Sequence, residues 1–506
     1  MSRILDTAAA AALVLVTACA SAGTPEPSPT PTPDPAPAPA ATTSPDAPAA
    51  GTIATPPALG TLRPWQLPPI EELRLDNGLR VVVVKQDAMP IVTASLLVDA
   101  GAEHEPLAKS GLASLTGSLL SEGTRSLSGP ELAERMERLG AQLQTGSAYT
   151  MAFVVVTGLK ATFPEALRLG ATTLLEPTFP EPDFQRVRQQ MLAGQRQQLS
   201  TVEGLADQAF IRAVFQPTSR YSRWTSGTPE TLEAITRDDV VAWHRARFVP
   251  ARTTLLFVGA LDLAEARQLA ESAFGGWQGS ASPSTLPTAH LQPVPGTRVI
   301  LVDRPGSVQS AIRIGQGTVG MEHGDFFRLT ALAQVLGGGF SARINQNLRE
   351  THGWTYGAFA NFGPMRNAGT LRIASSVRTN ATDSALVESV REYRRLVQEA
   401  VPNDELQASL NNLVGSFPTS VMTVQGLASR MQTVIAYGLP LDYYGTYRER
   451  LAAVTTGDLT TAGSTHLTPD ALTIVVAGDV ATIEAPIRAL GLGDVEVWSA
   501  EGKKLR

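Results

Sequence analysis

Two distant stretches of this 506-residue chain repeat one pattern, and that repeat constrains the fold more than any other feature. The first is Phe248-Val249-Pro250 followed by Leu255–Asp262, and the second is Leu467-Thr468-Pro469 followed by Thr473–Val480. Each copy has a proline, a short gap, an apolar run, a glycine and then a predicted helix. A spacing of about 220 residues is far too long for a solenoid repeat. It indicates two domains that share one fold.

The predicted elements follow the same order in both halves. In the first half a turn at Asn77-Gly78 leads into the strands Val81–Val84 and Ile91–Val98 and then a helix at 111–120. In the second half the matching segments are Arg298–Val302, Gln309–Gly315 and a helix at 326–336. Further helices are predicted at 130–139, 163–175, 182–199 and 263–274, and further strands at 149–159 and 253–258.

This pattern predicts an α+β protein of two homologous domains. Each domain is expected to have a mainly antiparallel sheet with helices packed on one face. The predicted domains are residues 63–280 and 297–500. The linker at 281–296 is placed where serine, proline and threonine cluster.

The N-terminus carries a short apolar segment that ends in small residues. The run Ala8–Val16 is too short to span a bilayer, and Thr17, Ala18 and Cys19 follow it. Val-Thr-Ala-Cys resembles a bacterial lipobox. The resemblance implies that residues 1–19 are a lipoprotein signal peptide and that Cys19, the single cysteine, becomes diacylated. A secretory signal cut nearby is the alternative.

Residues 20–62 are predicted to be a disordered tether. Twelve prolines fall between Pro25 and Pro57 among alanine and threonine, a composition that favours extended polyproline II over a packed core. A proline-motif docking site is the alternative. Together with the lipobox, the tether predicts a lipid-anchored protein of the bacterial cell envelope. Because Ala20 is not an inner-membrane-retention aspartate, the prediction favours the outer membrane, facing the periplasm.

Composition excludes one class of partner. The formal net charge of −6 gives no basic surface for nucleic acid. No two of the six histidines lie three or four residues apart, the spacing at which one helix offers both rings to a metal. His104, between Glu103 and Glu105, is the nearest to a ligand group, and we expect a solvated polar loop there.

The body of the chain, from about residue 68 to 500, resembles the pitrilysin/insulinase peptidases, in particular their mitochondrial-processing-peptidase-like branch. The resemblance rests on five landmarks of the first half: Gly111-Leu112-Ala113, Gly123-Thr124, Leu139-Gly140, Pro177-Thr178-Phe179 and Gly227-Thr228-Pro229. It implies the pitrilysin-like metallohydrolase fold. In the family, Gly-Leu-Ala opens the motif His-x-x-Glu-His, whose histidines bind zinc and whose glutamate is the general base.

Every chemical position of that motif is changed here. Ser114 and Ser118 stand for the histidines and Gly117 for the base, and counting 76 residues beyond Ser118 places Gly194 at the distal glutamate ligand. Hydroxyls and glycines cannot supply the ligands of a catalytic zinc ion. The resemblance therefore implies a degenerate site with no metal and no cofactor. The two serines have no Gly-x-Ser-x-Gly surroundings, which argues against a serine hydrolase.

The second half keeps a different element of the family. Arg349 and Tyr356 flank Gly353 in the segment Leu348–Tyr356, and their spacing resembles the family's Arg/Tyr pair. The resemblance implies that Arg349 hydrogen-bonds substrate carbonyls and that Tyr356 donates to the oxyanion. The alternative is structural: Arg349 would end a helix and Tyr356 would pack its ring.

In bacterial heterodimers of this family one subunit carries the zinc site and the other the Arg/Tyr pair, so the resemblance implies that this chain is a non-catalytic subunit of a heterodimeric peptidase. Its predicted partners are a homologous His-x-x-Glu-His subunit that carries the zinc, a peptide substrate added as a strand near Ala141–Ser147, and a membrane reached through the lipid. The alternatives are a scaffold or peptide-binding protein of the same fold, a homodimer, and a self-sufficient hydrolase with an unrecognised site.

Overall fold

A computed structural model describes residues 65–281 and 290–506. The signal peptide, Cys19 and the tether lie outside the described residues, as does most of the predicted linker. The described residues belong to one compact unit. Among the helices of those two ranges, none has both the length and the hydropathy that a membrane crossing requires.

The first half contains six strands and eight α-helices. The strands are β1 (Ile70–Arg74), β2 (Arg80–Lys85), β3 (Ile91–Val98), β4 (Gln142–Ser147), β5 (Ala152–Leu159) and β6 (Thr253–Gly259). The helices are α1 (Leu112–Leu119), α2 (Gly129–Arg138), α3 (Phe163–Leu175), α4 (Glu181–Leu199), α5 (Val202–Val214), α6 (Pro229–Ala234), α7 (Arg237–Arg247) and α8 (Leu263–Phe274).

The second half again contains six strands and eight α-helices. The strands are β7 (Arg298–Asp303), β8 (Gln309–Thr318), β9 (Ala358–Pro364), β10 (Gly369–Arg378), β11 (Thr473–Gly478) and β12 (Asp494–Trp498). The helices are α9 (Phe326–Gly337), α10 (Arg343–Asn345), α11 (Thr382–Gln398), α12 (Asn403–Ser420), α13 (Val424–Tyr437), α14 (Tyr447–Ala452), α15 (Thr456–His466) and α16 (Val480–Ala489). A π-helical turn, Gln346–Thr351, continues from α10.

The two sheets have the same plan. The first runs β1-β2-β6-β3-β5-β4 and the second runs β12-β7-β11-β8-β10-β9. The pair β2–β6 is parallel and the remaining pairs of the first sheet are antiparallel. In the second sheet β7 pairs in parallel with both β11 and β12, and the other pairs are antiparallel. The predicted α+β fold of two similar, mainly antiparallel sheet domains is confirmed.

Each half contributes one helix, α5 or α13, that packs on the sheet of the other half, on the face that the sheet's own helices leave uncovered. Val81 and Val83 of β2 pack with the helices of their own half. Val82 and Val84 pack in the core of the second half, which also contains α13 residues such as Met431. This two-sided burial explains why β2 reads as an unbroken valine run rather than an alternating pattern.

The exchange is reciprocal. Helix α5 packs its apolar side, which includes Phe210, on residues of the second sheet such as Val475. A direct hydrogen bond joins the halves on the α13 side, where the Gln432 amide donates to Ser95 Oγ at 3.0 Å. The helices therefore do not all lie on one face of their own sheet, and the two halves share their cores.

Candidate functional site

The helix that resembles the zinc-binding helix, α1, begins at a buried carboxylate. Glu105 accepts hydrogen bonds from the backbone N–H groups of Gly111 (2.8 Å) and Ala113 (3.0 Å). N–H groups at the start of a helix have no partner within the helix, so the Glu105 carboxylate does here what an N-cap side chain usually does. Gly111 has φ = +100°, a conformation that glycine adopts without strain. Burial raises the pKa of Glu105 to about 8, against the lowering effect of these two hydrogen bonds.

The segment that leads into α1 is not the solvated loop that we expected around His104. Glu103 and Glu105 are 1% and 2% exposed, and the His104 side chain is 1% exposed. His104 Nε2 lies 2.7 Å from an oxygen of Asp99. Local polarity suggested exposure, but all three side chains are buried, each with a hydrogen-bonding partner.

Glu103 is also a tie between the halves. It pairs with Arg366 of the second half, at 3.2 Å from Oε1 to Nε, and accepts a hydrogen bond from the Tyr221 hydroxyl at 3.0 Å. Arg366 donates in turn to the carbonyl of Ala436 at the end of α13, at 2.6 Å. Burial raises the pKa of Glu103, while the charge of Arg366 acts in the opposite direction.

The two serines lie one helical turn apart on α1 and are half-buried. The Ser114 hydroxyl donates to the carbonyl of Thr225 at 2.8 Å. Its proton is thus used in a structural bond to the loop before α6. This contact fits a small polar residue that fills the position of a histidine ring.

Gly117 has no room for any side chain. A Cβ added there would lie 2.5 Å from the carbonyl carbon of Gly146 and 2.6 Å from its oxygen. Both atoms belong to the backbone of β4, so the helix and the strand touch directly. A glutamate at position 117 could not be built without moving α1 away from β4.

Gly194 does not face α1. It is exposed on α4, and an added Cβ would meet no atom within 4 Å. Its neighbour Gln195 is 2% exposed and donates to the carbonyl of Gly227 at 3.0 Å. Gln195 and Ser114 therefore hold the same loop, Thr225–Gly227. The α4 residue at the degenerate site is Gln195 rather than the predicted Gly194, one residue away in the count.

The residues present do not fit zinc. The position of the first histidine holds a hydroxyl bonded to a carbonyl, that of the base holds a glycine against a backbone, and that of the distal ligand holds an amide. Gln195 Oε1 is buried without a hydrogen-bond partner, but one amide oxygen is a poor substitute for the three nitrogen and carboxylate ligands of a catalytic zinc ion. The donor set argues against a metal at this site on chemical grounds.

A groove runs beside the site along β4. β4 is the last strand of its sheet, so its outer backbone groups are available for another strand, as expected for the segment near Ala141–Ser147. The groove has a volume of about 620 Å³ and separates Gln142–Gln144 from α2. Ala133 and Met136 give it an apolar floor and Glu137 gives it negative charge, while Glu122 on the same groove is paired with Arg186.

In the second half, Arg349 lies on the π-helical turn and is 41% exposed. Its guanidinium sits 4.5 Å from the centre of the Phe340 ring and pairs with Glu350 at 3.3 Å. Gly353, with φ = +63°, reverses the chain after the turn through a hydrogen bond from its N–H to the Arg349 carbonyl at 3.0 Å. Gly353 thus forms a tight turn between Arg349 and Tyr356.

Tyr356 is 93% exposed, so its ring is not packed into a core. The loop that holds it is fixed by Thr355, whose hydroxyl donates to the carbonyl of Ser376 on β10 at 2.7 Å. Tyr356 lines a groove of about 410 Å³ together with Arg313, Phe359, Ser375 and other residues. Arg349 is not among the described residues that line this groove, so the Arg349 and Tyr356 side chains lie on different surfaces.

Sequence reasoning missed the charged group beneath this groove. Asp207 of α5 pairs with Arg313 at 2.7 Å and with Arg372 at 2.8 Å. Although burial raises the pKa of Asp207, hydrogen bonds and charge from the two arginines hold it below its usual value. No sequence signal could reveal this group, because its members lie 106 and 165 residues apart.

Two family models match the chain. Residues 80–221 match the insulinase model of peptidase family M16, and residues 234–413 match the model of the peptidase M16 inactive domain. A crystal structure of a peptidase M16 inactive domain from Pseudomonas fluorescens shares the fold, with 24% identity and a TM-score of 0.76 over 81% of this chain and 98% of that one.

Two similar proteins come from one strain of Helicobacter pylori. The "Non-peptidase homolog YmxG" is 22% identical over 80% of this chain and 93% of its own length. The "Zinc protease PqqE" is 22% identical over 69% of this chain and 78% of its own length. With the two sheet domains and both family models in the same order, this chain belongs to the M16, or insulinase, family of peptidases and their homologues.

Proposed function

We propose that this chain is a zinc-free subunit of a two-subunit M16 peptidase, whose homologous partner carries the His-x-x-Glu-His site. The observation that carries the proposal is the direct contact of Gly117 with the backbone of Gly146. It leaves no space for a general base in α1, while the Arg349 and Tyr356 side chains of the second half stay accessible.

The contribution of this chain would be to bind and orient peptides. The exposed Tyr356 hydroxyl can donate to a carbonyl oxygen as negative charge develops on it, and Arg349 can give paired hydrogen bonds to backbone carbonyls. The free edge of β4 and its groove suit an extended peptide, which would be recognised mainly through its backbone. Apolar and acidic groove walls favour peptides with apolar and basic side chains.

The relatives support a division of labour. One Helicobacter pylori strain has both a protein named zinc protease and one named non-peptidase homolog, and both are similar to this chain. We propose the non-peptidase role for this chain because its α1 lacks ligands. We further propose that Cys19 is lipidated and that the tether holds the folded body near the outer membrane, facing the periplasm.

The test is a reconstitution with the full-length chain and a homologous His-x-x-Glu-His subunit from the same cell. We expect no peptide hydrolysis by this chain alone, even with added Zn²⁺, and a clear increase in turnover on mixing. Hydrolysis by the chain alone would overturn the proposal. If mixing left the partner's own activity unchanged, the scaffold or peptide-binding alternative would be favoured.

Two variants test the roles of the second half within that mixture. Tyr356→Phe removes only an exposed hydroxyl, and we expect kcat to fall by about 10²-fold with assembly unchanged, as for loss of one oxyanion donor. Arg349→Met should also lower turnover. Arg267→Met is the matched control, because Arg267 is likewise exposed and paired with a neighbouring glutamate. Wild-type turnover in both test variants would remove Arg349 and Tyr356 from the function.

A further inference from the structure

Three metal-ligand side chains meet in the second half, far from the degenerate site. The ligand atoms of His323, Asp325 and His466 lie within 4.8 Å of one another. His323 and Asp325 come from the loop before α9, and His466 is the last residue of α15. We propose that these three residues bind a divalent transition-metal ion of the zinc class.

Two of the ligands are already held in place. His466 Nε2 lies 2.7 Å from Asp325 Oδ2. The other Asp325 oxygen accepts a hydrogen bond from Arg328 at 2.6 Å, which fixes the carboxylate. The amide of Gln316 donates to the His466 carbonyl at 2.8 Å and anchors the end of α15. The contacts from Arg328 and Gln316 are of the kind that orient the ligands of protein metal sites. The His466–Asp325 hydrogen bond already brings two ligand atoms together, and the ion would take the place of its proton.

His323 is the exposed third ligand. Its side chain is 43% exposed, and Nδ1 lies 3.9 Å from Asp325 Oδ2. Nδ1 now accepts a hydrogen bond from the Asp325 N–H at 3.0 Å. An exposed ring can turn about its Cβ–Cγ bond to offer a nitrogen, or give up this single bond. Its edge-to-face contact with His466, with ring centres 5.1 Å apart, keeps it beside the other two ligands.

The donor set selects the type of ion. Two imidazoles and one carboxylate suit zinc, iron, cobalt or nickel, whereas calcium and magnesium prefer oxygen ligands throughout. The carbonyl end of α15 favours a cation at His466. His323 is exposed and also lines a groove of about 290 Å³ with Glu322 and Asp442, so solvent reaches this ligand.

Three protein ligands leave at least one coordination position open. In this chain the ion would tie the loop before α9 to the end of α15, two segments 141 residues apart at Asp325 and His466. The site is separate from α1, and it stands or falls independently of the proposed subunit function.

The test is a Co²⁺ titration of the full-length chain after chelator treatment, followed by visible absorption. We expect a saturable band at one equivalent, lost on addition of Zn²⁺ and unaffected by Mg²⁺. His323→Ala and His466→Ala should each weaken Co²⁺ binding by at least about tenfold. His290→Ala, which changes an exposed histidine outside the cluster, should bind like the wild type.

Zn²⁺ should also raise the thermal midpoint of the wild type and not that of His323→Ala, because an ion that binds the folded state stabilises it. His323 is exposed, so its replacement leaves the core intact. Absence of a saturable band in the wild type would overturn the proposal. Equal affinity in the wild type and both histidine variants would overturn it as well.

Discussion

Replacing Gly117 with alanine tests the close packing of α1 on β4. The new Cβ would lie 2.5 Å from the Gly146 carbonyl carbon and 2.6 Å from its oxygen. Both are backbone atoms, so no change of rotamer relieves the overlap. β4 would have to move by about 1 Å to restore an ordinary contact distance.

The magnitude follows from two opposing effects. Forcing a methyl group into a packed site costs about 1–3 kcal/mol, and the upper half of that range applies because backbone must shift. Alanine regains about 1 kcal/mol over glycine inside a helix. The net expectation for Gly117→Ala is a loss of about 1–2 kcal/mol in the free energy of unfolding.

Gly194→Ala is the matched control, since it makes the same exchange inside α4 where an added Cβ meets nothing within 4 Å. It should stabilise the protein by about 0.5–1 kcal/mol. Urea unfolding followed by tryptophan fluorescence should therefore show midpoint shifts of opposite sign. If Gly117→Ala raised the midpoint as Gly194→Ala does, the packing argument would be refuted, and with it the claim that no general base fits.

Three further results are expected. Arg366→Met should cost about 3–5 kcal/mol because it leaves the buried Glu103 without its cationic partner, whereas Arg267→Met, at an exposed ion pair, should cost under about 1 kcal/mol. Equal thermal midpoints of the two variants would contradict this. The pKa of Glu105 is raised from about 4.5 in the unfolded chain to about 8 in the folded protein. The folded state therefore holds this proton more tightly, and the stability of the wild type relative to Glu105→Gln should fall as the pH rises from about 5 to about 9. A stability difference that does not change with pH would refute the raised pKa. Cys19→Ser should move the protein from the membrane pellet to the soluble fraction, and membrane retention would argue against lipidation.

Much of the fold could be predicted because its signals are local. The bounds of Ile91–Val98, Phe163–Leu175 and Leu263–Phe274 agree with the structure. An apolar run between turn residues and an apolar stripe of helical period each report on a few adjacent residues. Neither α5 nor α13 was among the predicted helices. Their exchange between the halves would have escaped prediction in any case, because an apolar stripe shows that a helix is covered and does not show which sheet covers it.

At the candidate site, too, local sequence signals were sufficient for some residues and not for others. The frame around α1 located Ser114, Gly117 and Ser118, but counting along the chain placed the distal position at Gly194, where the helix turns it to solvent. Neighbouring residues of a helix point about 100° apart, so an error of one residue selects the wrong face. Likewise, the polarity of Glu103 and His104 suggested an exposed loop, whereas the distant partners of Glu103, Tyr221 and Arg366, bury this segment between the two halves.

The sequence by itself determined that α1 carries no side chain suited to bind zinc, because serine and glycine lack the donors whatever fold surrounds them. It also determined that the chain has two halves of similar fold, because the periodicity of strands and helices depends on residues that are close in the sequence. Only the tertiary structure decided that Gly117 touches Gly146, that Gln195 replaces Gly194, and that His323 meets His466. The contact of Gly117 with Gly146 spans 29 positions and that of His323 with His466 spans 143, so only folding brings these residues together.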